Sequence, residues 1–141
     1  MKEFHTAIKI QSTPAKIWSI LTDGAAYTSW NTSVVEVTGE IALGKKVAIR
    51  PKINPKQAFP VKVVEMEPEK KMVWRGGMPI GTLFKGERTY TLTPQTDGTV
   101  EFSMREEFTG LMAPLITKSI PDMQPAFEEF AACLKKKAEV S

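Results

Sequence analysis

The feature that most constrains this chain is a period-two alternation of apolar and polar residues, which runs through most of its length. Residues 3–11 carry it first, four shorter stretches follow between residues 34 and 75, and two longer stretches span 82–93 and 99–109. This is the period of a strand with one buried face. We therefore predict seven antiparallel strands, whose shared apolar face has to be covered by another element.

Helical spacing appears in two other parts of the chain. Ser12-Thr13-Pro14 is a helix-start signal, with a hydroxyl cap and proline at the first helical position. Asp23-Gly24 breaks that helix, and a second short helix is predicted to end near Trp30. In the last third, a long helix is predicted from apolar residues at helical spacing: Leu115, Ile116, Ile120, Met123, Phe127, Phe130 and Leu134. Pro121 predicts that this helix is kinked or divided near Ser119–Ile120.

The long helix is the one element available to cover the apolar face of the sheet. A single helix fills about 10–12 Å of width, so a curved sheet that wraps around it leaves space. We predict an α+β fold with a cavity of about 300–1,000 Å³, whose mouth lies near the Gly76–Gly81 loop and the start of the long helix. Its apolar lining is predicted to be Trp74, Phe84, Tyr90, Phe102, Met104, Phe108, Met123 and Phe127. The same side chains would equally fill a dry core, and both interpretations stay open at this point.

Three polar residues share the predicted inner face. Counting by twos along the two long strands places Arg88, Tyr90 and Glu106 there, although buried charges need partners. A turn centred near residue 96 would put Arg88 opposite Met104 and one diagonal step from Glu106. A small register shift would make the two charges direct neighbours. They form either a structural ion pair or a polar spot that orients a ligand or serves as acid and base.

Composition argues against several classes of function. The net charge is only +3, and the basic residues are scattered apart from Lys135–Lys137, so we expect no nucleic-acid partner. His5 is the only histidine and Cys133 the only cysteine, which argues against a Ser-His-Asp triad, a metal site or a disulfide. No dinucleotide fingerprint, signal core or membrane-spanning run is present. We expect one cytoplasmic domain over residues 1–141, with no cofactor.

Several strings, in this element order, resemble the START-like superfamily, also called SRPBCC. They are IKIQSTPAKIWSILTD (8–23), YTSWN (27–31), KMVWRGG (71–77), FKGERTYTLTP (84–94), MREEFTGLMAPL (104–115) and FEEFAACLKKKAE (127–139). The most specific parts are Pro14-x-x-x-Trp18, Trp30-Asn31 and Glu107-Phe108-x-Gly110. The sequence is most similar to the bacterial polyketide cyclase/dehydrase-like group. The resemblance implies a helix-grip fold, in which the sheet wraps around the C-terminal helix.

The resemblance leaves three functions open, because this fold hosts many of them. The first is a carrier or sensor that binds a hydrophobic or amphiphilic small molecule, such as a lipid, a polyketide or an aromatic compound. The second is a cyclase or dehydrase that uses Arg88, Tyr90 and Glu106. The third is an interaction module with little cavity, as in the branch that activates the Hsp90 ATPase. Neither the ligand nor the oligomeric state follows from the sequence.

Overall fold

Seven strands form one antiparallel sheet in the computed structural model, which describes residues 2–77, 84–119 and 122–140. They are β1 (Lys2–Ile10), β2 (Val34–Thr38), β3 (Lys46–Pro51), β4 (Phe59–Glu67), β5 (Lys71–Gly77), β6 (Lys85–Pro94) and β7 (Val100–Thr109). Their order across the sheet is β1-β7-β6-β5-β4-β3-β2. Strands β2 to β7 therefore follow one another as hairpins, and β1 pairs with β7. This confirms the predicted sheet.

Two short helices follow β1, as predicted. Helix α1 (Pro14–Leu21) has Thr13 as its cap, whose Oγ1 accepts a hydrogen bond from the Lys16 backbone N–H at 3.1 Å. A 3₁₀ turn at Gly24–Ala26 leads into α2 (Tyr27–Trp30). The Tyr27 hydroxyl donates to the Leu21 carbonyl, which ties α2 to the end of α1.

The predicted long helix is divided. Helix α3 (Ala113–Ile116) and a 3₁₀ turn at Thr117–Ser119 precede α4 (Gln124–Glu139). Ile120 and Pro121 lie outside the described residues. This division is the one that Pro121 predicted. Leu115, which the helical spacing of the sequence included, is 67% exposed, whereas Ile116 is half-buried. A division of the helix gives the two parts separate axes, so one helical phase cannot run through both.

Helix α4 packs its apolar stripe against the concave face of the sheet. Phe127, Phe130 and Leu134 are each at most 3% exposed, as the predicted register of this helix requires. Side chains of α4 also cover the free edge of β1. The Gln124 side chain donates to the His5 carbonyl at 2.7 Å and accepts from the His5 N–H at 3.4 Å. Farther along, Lys135 donates to the Lys9 carbonyl at 2.8 Å.

Candidate ligand-binding site

The β6–β7 hairpin brings the three predicted polar residues together on the concave face. Arg88 stands directly opposite Glu106, and Tyr90 opposite Met104. The predicted diagonal placement is therefore wrong by a small register shift. The turn closes with the Gln95 N–H donating to the Thr99 carbonyl at 2.8 Å, which centres it at residue 97 rather than 96.

Arg88 and Glu106 form an ion pair that is shielded from solvent. Arg88 Nε donates to Glu106 Oε1 at 2.6 Å, and the two side chains are 20% and 13% exposed. The guanidinium carbon lies 4.8 Å from the ring centre of Phe127 on α4, within the range of a cation–π contact. Burial alone would lower the pKa of Arg88, but the Glu106 carboxylate and Tyr90 raise it above its usual value. Arg88 is therefore charged over the whole physiological range.

The Tyr90 hydroxyl lies beside this pair without a hydrogen-bonding partner among the described residues. Tyr90 is 1% exposed, and burial raises the pKa of its hydroxyl to about 12 against the opposing effect of the Arg88 guanidinium. The group is thus a neutral donor near pH 7 and cannot act as a base. A buried polar atom without a partner costs free energy unless water or a ligand satisfies it.

Four phenylalanines surround the ion pair, and we call them the aromatic collar: Phe4, Phe84, Phe108 and Phe127. Phe84 stacks on Phe108 with ring centres 5.9 Å apart, and Phe4 lies 6.0 Å from Phe127. Gly86 makes this arrangement possible, since a Cβ there would stand 2.9 Å from the Phe108 ring. Phe4 is the one member that the predicted lining lacks, although the period of residues 3–11 already placed it on the inner face of β1.

A second group of aromatic residues lies around Phe130, and we call it the deep aromatic cluster: Tyr27, Trp30, Trp74, Tyr90, Phe102 and Phe130. Phe130 lies at its centre, 5.7 Å from Trp30, 5.9 Å from Tyr90 and 6.0 Å from Phe102. Trp74 meets Tyr90 edge-on at 4.9 Å. Tyr27, Trp30 and Phe130 are not in the predicted lining, although the YTSW string of α2 holds two aromatic residues one turn apart, a signal that could have found them.

Most of the predicted lining is buried under the sheet. Trp74, Tyr90, Phe102, Met104 and Phe127 are each at most 2% exposed, and Met123 is half-buried at the start of α4. Two clefts of about 190 and 500 Å³ lie among the described residues, and both open to the surface. The predicted internal cavity is neither of these clefts and stays a prediction.

The smaller cleft lies at the start of α4, where the sequence placed the mouth. Its walls are Ser33, Lys52, Ile53, Pro125, Ala126 and Glu129. The β3–β4 loop therefore forms its other side. Gly76 and Gly77, the first residues of the loop expected there, belong to β5, and residues 78–81 lie outside the described residues.

An ion pair, which we call the clasp, spans this cleft. The Lys52 ammonium donates to both Glu129 oxygens at 2.8 and 2.7 Å, and Thr32 Oγ1 donates to the same carboxylate. These hydrogen bonds from Lys52 and Thr32 lower the pKa of Glu129. The clasp joins the residue after β3 to α4.

Other chemistries find little support in the described ranges. No group of three or more His, Cys, Asp or Glu side chains there could hold a metal ion. His5 lies on the exposed face of β1, with its ring 3.3 Å from the Ser103 hydroxyl. Among the helices of those ranges, none has the length and hydropathy to cross a membrane.

A sheet curled around one C-terminal helix, with short helices after its first strand, defines the helix-grip class of α+β proteins. The chain belongs to the family described as polyketide cyclase / dehydrase and lipid transport, whose family model matches residues 1–139. The START-like resemblance of the sequence is thereby confirmed. Membership supports a ligand-binding or cyclase-type role.

Solved structures share the fold at low sequence identity. A hypothetical protein from Helicobacter pylori has a TM-score of 0.78 at 12% identity, over 97% of this chain and 88% of that one. The Aha1 dimer protein from Colwellia psychrerythraea has a TM-score of 0.72 at 17% identity, over 99% and 98%. The di-domain ARO/CYC protein BexL of the BE-7585A biosynthetic pathway has a TM-score of 0.72 at 12% identity, over 99% of this chain and 47% of its own. No curated protein matches the chain in sequence.

Proposed function

We propose that the grip interior binds an amphiphilic small molecule and holds its polar head at Arg88, Glu106 and Tyr90. The observation that carries this proposal is an ion pair beside an unpartnered hydroxyl, on a concave face that is largely apolar. Ligand sites commonly combine apolar walls with a few convergent polar groups. Arg88 uses one of its five donors on Glu106 and is 20% exposed, so a head group can reach the others.

The chemistry of the head follows from the donors. Arg88 and the protonated Tyr90 hydroxyl both offer hydrogens, so they favour an acceptor such as a carboxylate or a ketone oxygen. The apolar tail would lie against the aromatic collar. Entry of the tail would displace rings of the collar. Phe84 is half-buried, whereas the other three collar rings are buried. Displacing Phe84 therefore costs less free energy than displacing any of the other three.

The test compares two matched ion pairs on the same sheet. Arg88→Met should weaken binding of a fluorescent fatty acid about tenfold or more, as expected for a lost charge-assisted hydrogen bond, and should weaken the corresponding hydrocarbon far less. Arg75→Met is the control, because Arg75 pairs with Glu87 at 2.6 Å between the neighbouring strands β5 and β6 but is 48% exposed. Equal losses of both ligands in Arg88→Met would mean that the pair is only structural.

A cyclase-type reaction is the second candidate, favoured by the same polar group. A buried neutral Tyr90 can polarise a ketone, and the adjacent Glu106 carboxylate can accept a proton from an enolisable carbon. Under this reading Tyr90→Phe lowers kcat on a poly-β-ketone substrate while ligand affinity changes little. A binding protein shows no turnover with either form.

The third candidate, an interaction module, is the alternative that needs no internal cavity. It requires neither an internal polar group nor movement of the collar. If neither the fatty acid nor the hydrocarbon binds at any accessible concentration, this candidate replaces the first two.

A further inference from the structure

Two buried hydrogen-bond donors lie next to each other at the end of α2, outside the polar group described above. They are the indole Nε1 of Trp30 and the amide Nδ2 of Asn31, and neither has a partner among the described residues. Both atoms are shielded from solvent, and Asn31 as a whole is 1% exposed. Buried donors nearly always have an acceptor, because leaving one unpaired costs free energy. Two on consecutive residues therefore require an explanation.

Ser33 determines which end of the Asn31 amide is unpaired. The Ser33 backbone N–H donates to Asn31 Oδ1 at 2.9 Å, and the Ser33 hydroxyl donates to the same oxygen. A backbone N–H can only donate, so the atom that it meets has to be the amide oxygen rather than the nitrogen. The group that Asn31 has left over is therefore a donor, as is the indole N–H of Trp30.

Hydrogen bonds hold the chain around these donors in place. The Ser33 carbonyl accepts from the Lys52 N–H at 2.9 Å, which fixes the connection between α2 and β2 to the residue after β3. Thr32 Oγ1 donates to the Glu129 carboxylate, which fixes the same connection to α4. The two unpaired donors thus belong to a well-bonded segment, and a loosely placed chain does not account for them.

Trp30 lies one aromatic ring away from the proposed head-group site. The ring of Phe130 is centred 5.7 Å from that of Trp30 and 5.9 Å from that of Tyr90. Phe127, whose ring centre lies 4.8 Å from the Arg88 guanidinium carbon, precedes Phe130 by about one turn of α4. Arg88 and Trp30 therefore lie against neighbouring turns of the same helix, a separation within reach of one alkyl chain.

We propose that Trp30 and Asn31 bind a neutral carbonyl oxygen in the tail of the ligand whose head is held at Arg88. A carbonyl oxygen has two lone pairs, so it can accept from both N–H groups. Neither donor is charged, and Lys52 is already paired with Glu129, so nothing here offsets the cost of burying a carboxylate. This inference rests on the proposed function and deepens it, because it makes the ligand an oxo acid rather than a plain fatty acid.

Displacement of a fluorescent fatty acid tests it, with saturated oxo acids whose ketone stands at successive carbons of the chain. For one ketone position, the oxo acid should bind at least about fivefold more tightly than the parent acid of the same length, as expected when buried donors gain an acceptor. Trp30→Phe removes one donor and keeps an aromatic ring. Asn31→Asp keeps the oxygen that Ser33 binds and replaces the amide nitrogen. Each variant should abolish the preference for the oxo acid and change the affinity for the parent acid less than about twofold.

The matched control is Trp74→Phe. It also removes an indole N–H from the deep aromatic cluster, but one that donates to Met72 Sδ at 3.4 Å, so the preference for the oxo acid should remain. Where Asn31→Asp fails to fold, Trp30→Phe against Trp74→Phe decides the question.

Three results would overturn the carbonyl site: no ketone position that improves binding, the same loss of preference in Trp74→Phe, or a preference that survives in Trp30→Phe. Water that satisfies the two donors permanently would give the first result. The parent acid separates this proposal from the preceding one. If the parent acid binds and no oxo acid binds more tightly, the proposed function stands and the carbonyl site is lost. If neither kind of acid binds, both are lost.

Discussion

The aromatic collar and the deep aromatic cluster are both built from aromatic side chains, but they differ in how the rings pack and in what the rings lie against. In the deep cluster, most rings meet edge-on or tilted around Phe130, which is 3% exposed. In the collar, the rings surround an ion pair whose members retain 20% and 13% exposure. A core that only stabilised the fold would not require an ion pair among its aromatic rings. The proposed function predicts that stability depends mainly on the deep aromatic cluster and binding on the collar.

The strongest test of this division is Phe130→Ala. Because Phe130 contacts rings from α2, β6 and β7, its loss leaves a cavity that no neighbour can fill, and the free energy of unfolding should fall by about 3–5 kcal/mol. Urea denaturation measures it. Phe84→Ala at the collar should cost much less, because Phe84 is half-buried. Similar losses for the two variants would show that the interior is a single uniform core.

The ion pair gives a second, smaller effect. Glu106→Gln leaves the Arg88 charge without its partner, and we expect a loss of about 2 kcal/mol, below the range for fully buried pairs because the residual exposure allows screening. Arg88→Met with Glu106→Leu removes both charges and should regain most of that stability. Thermal unfolding of the three proteins makes the comparison. A double variant no more stable than Glu106→Gln would mean that the pair stabilises the fold by itself.

The clasp should have the smallest effect, and one that depends on pH. The pKa of Glu129 is lower in the folded chain than in the unfolded chain, so its contribution is complete above the unfolded pKa and is lost as the pH falls through the folded one. At pH 7, Glu129→Gln should lower stability by less than about 1 kcal/mol. The difference from the unmodified chain should shrink below pH 4. A difference that stays constant with pH would exclude this linkage.

Regular periodicity explains why the sheet was predictable. Each strand carries its own period-two signal, and hairpin connections leave few alternative orders. The inner face of β6 and β7 followed from the same count, so Arg88, Tyr90 and Glu106 were placed correctly. The direct pairing of Arg88 with Glu106 was not predicted. A shift of one residue in the centre of the Pro94–Gly98 turn changes the register of the two strands, and the alternation of apolar and polar residues does not encode that centre.

The interior volume could not be predicted from the sequence. A curved sheet around one helix leaves space in principle, but whether side chains fill it depends on how far α1 and α2 advance under the sheet. Tyr27 and Trp30 arrive there from α2 and contact Phe130. Hydrophobic periodicity does not predict such contacts, because they join residues about a hundred positions apart in the chain.

The side chains of α4 that cover β1 determine how the grip can open. Gln124 and Lys135 bind backbone groups of β1, and Glu139 accepts from the Gln11 N–H at 2.8 Å. These ties run along the full length of the helix, so lifting α4 from β1 would break all of them and expose a bare sheet edge to other chains. An outward motion of α4 that kept these contacts would be a rotation about its β1 side. Such a rotation would separate Glu129 of α4 from Lys52, so α4 would move as a hinged wall rather than a removable cover.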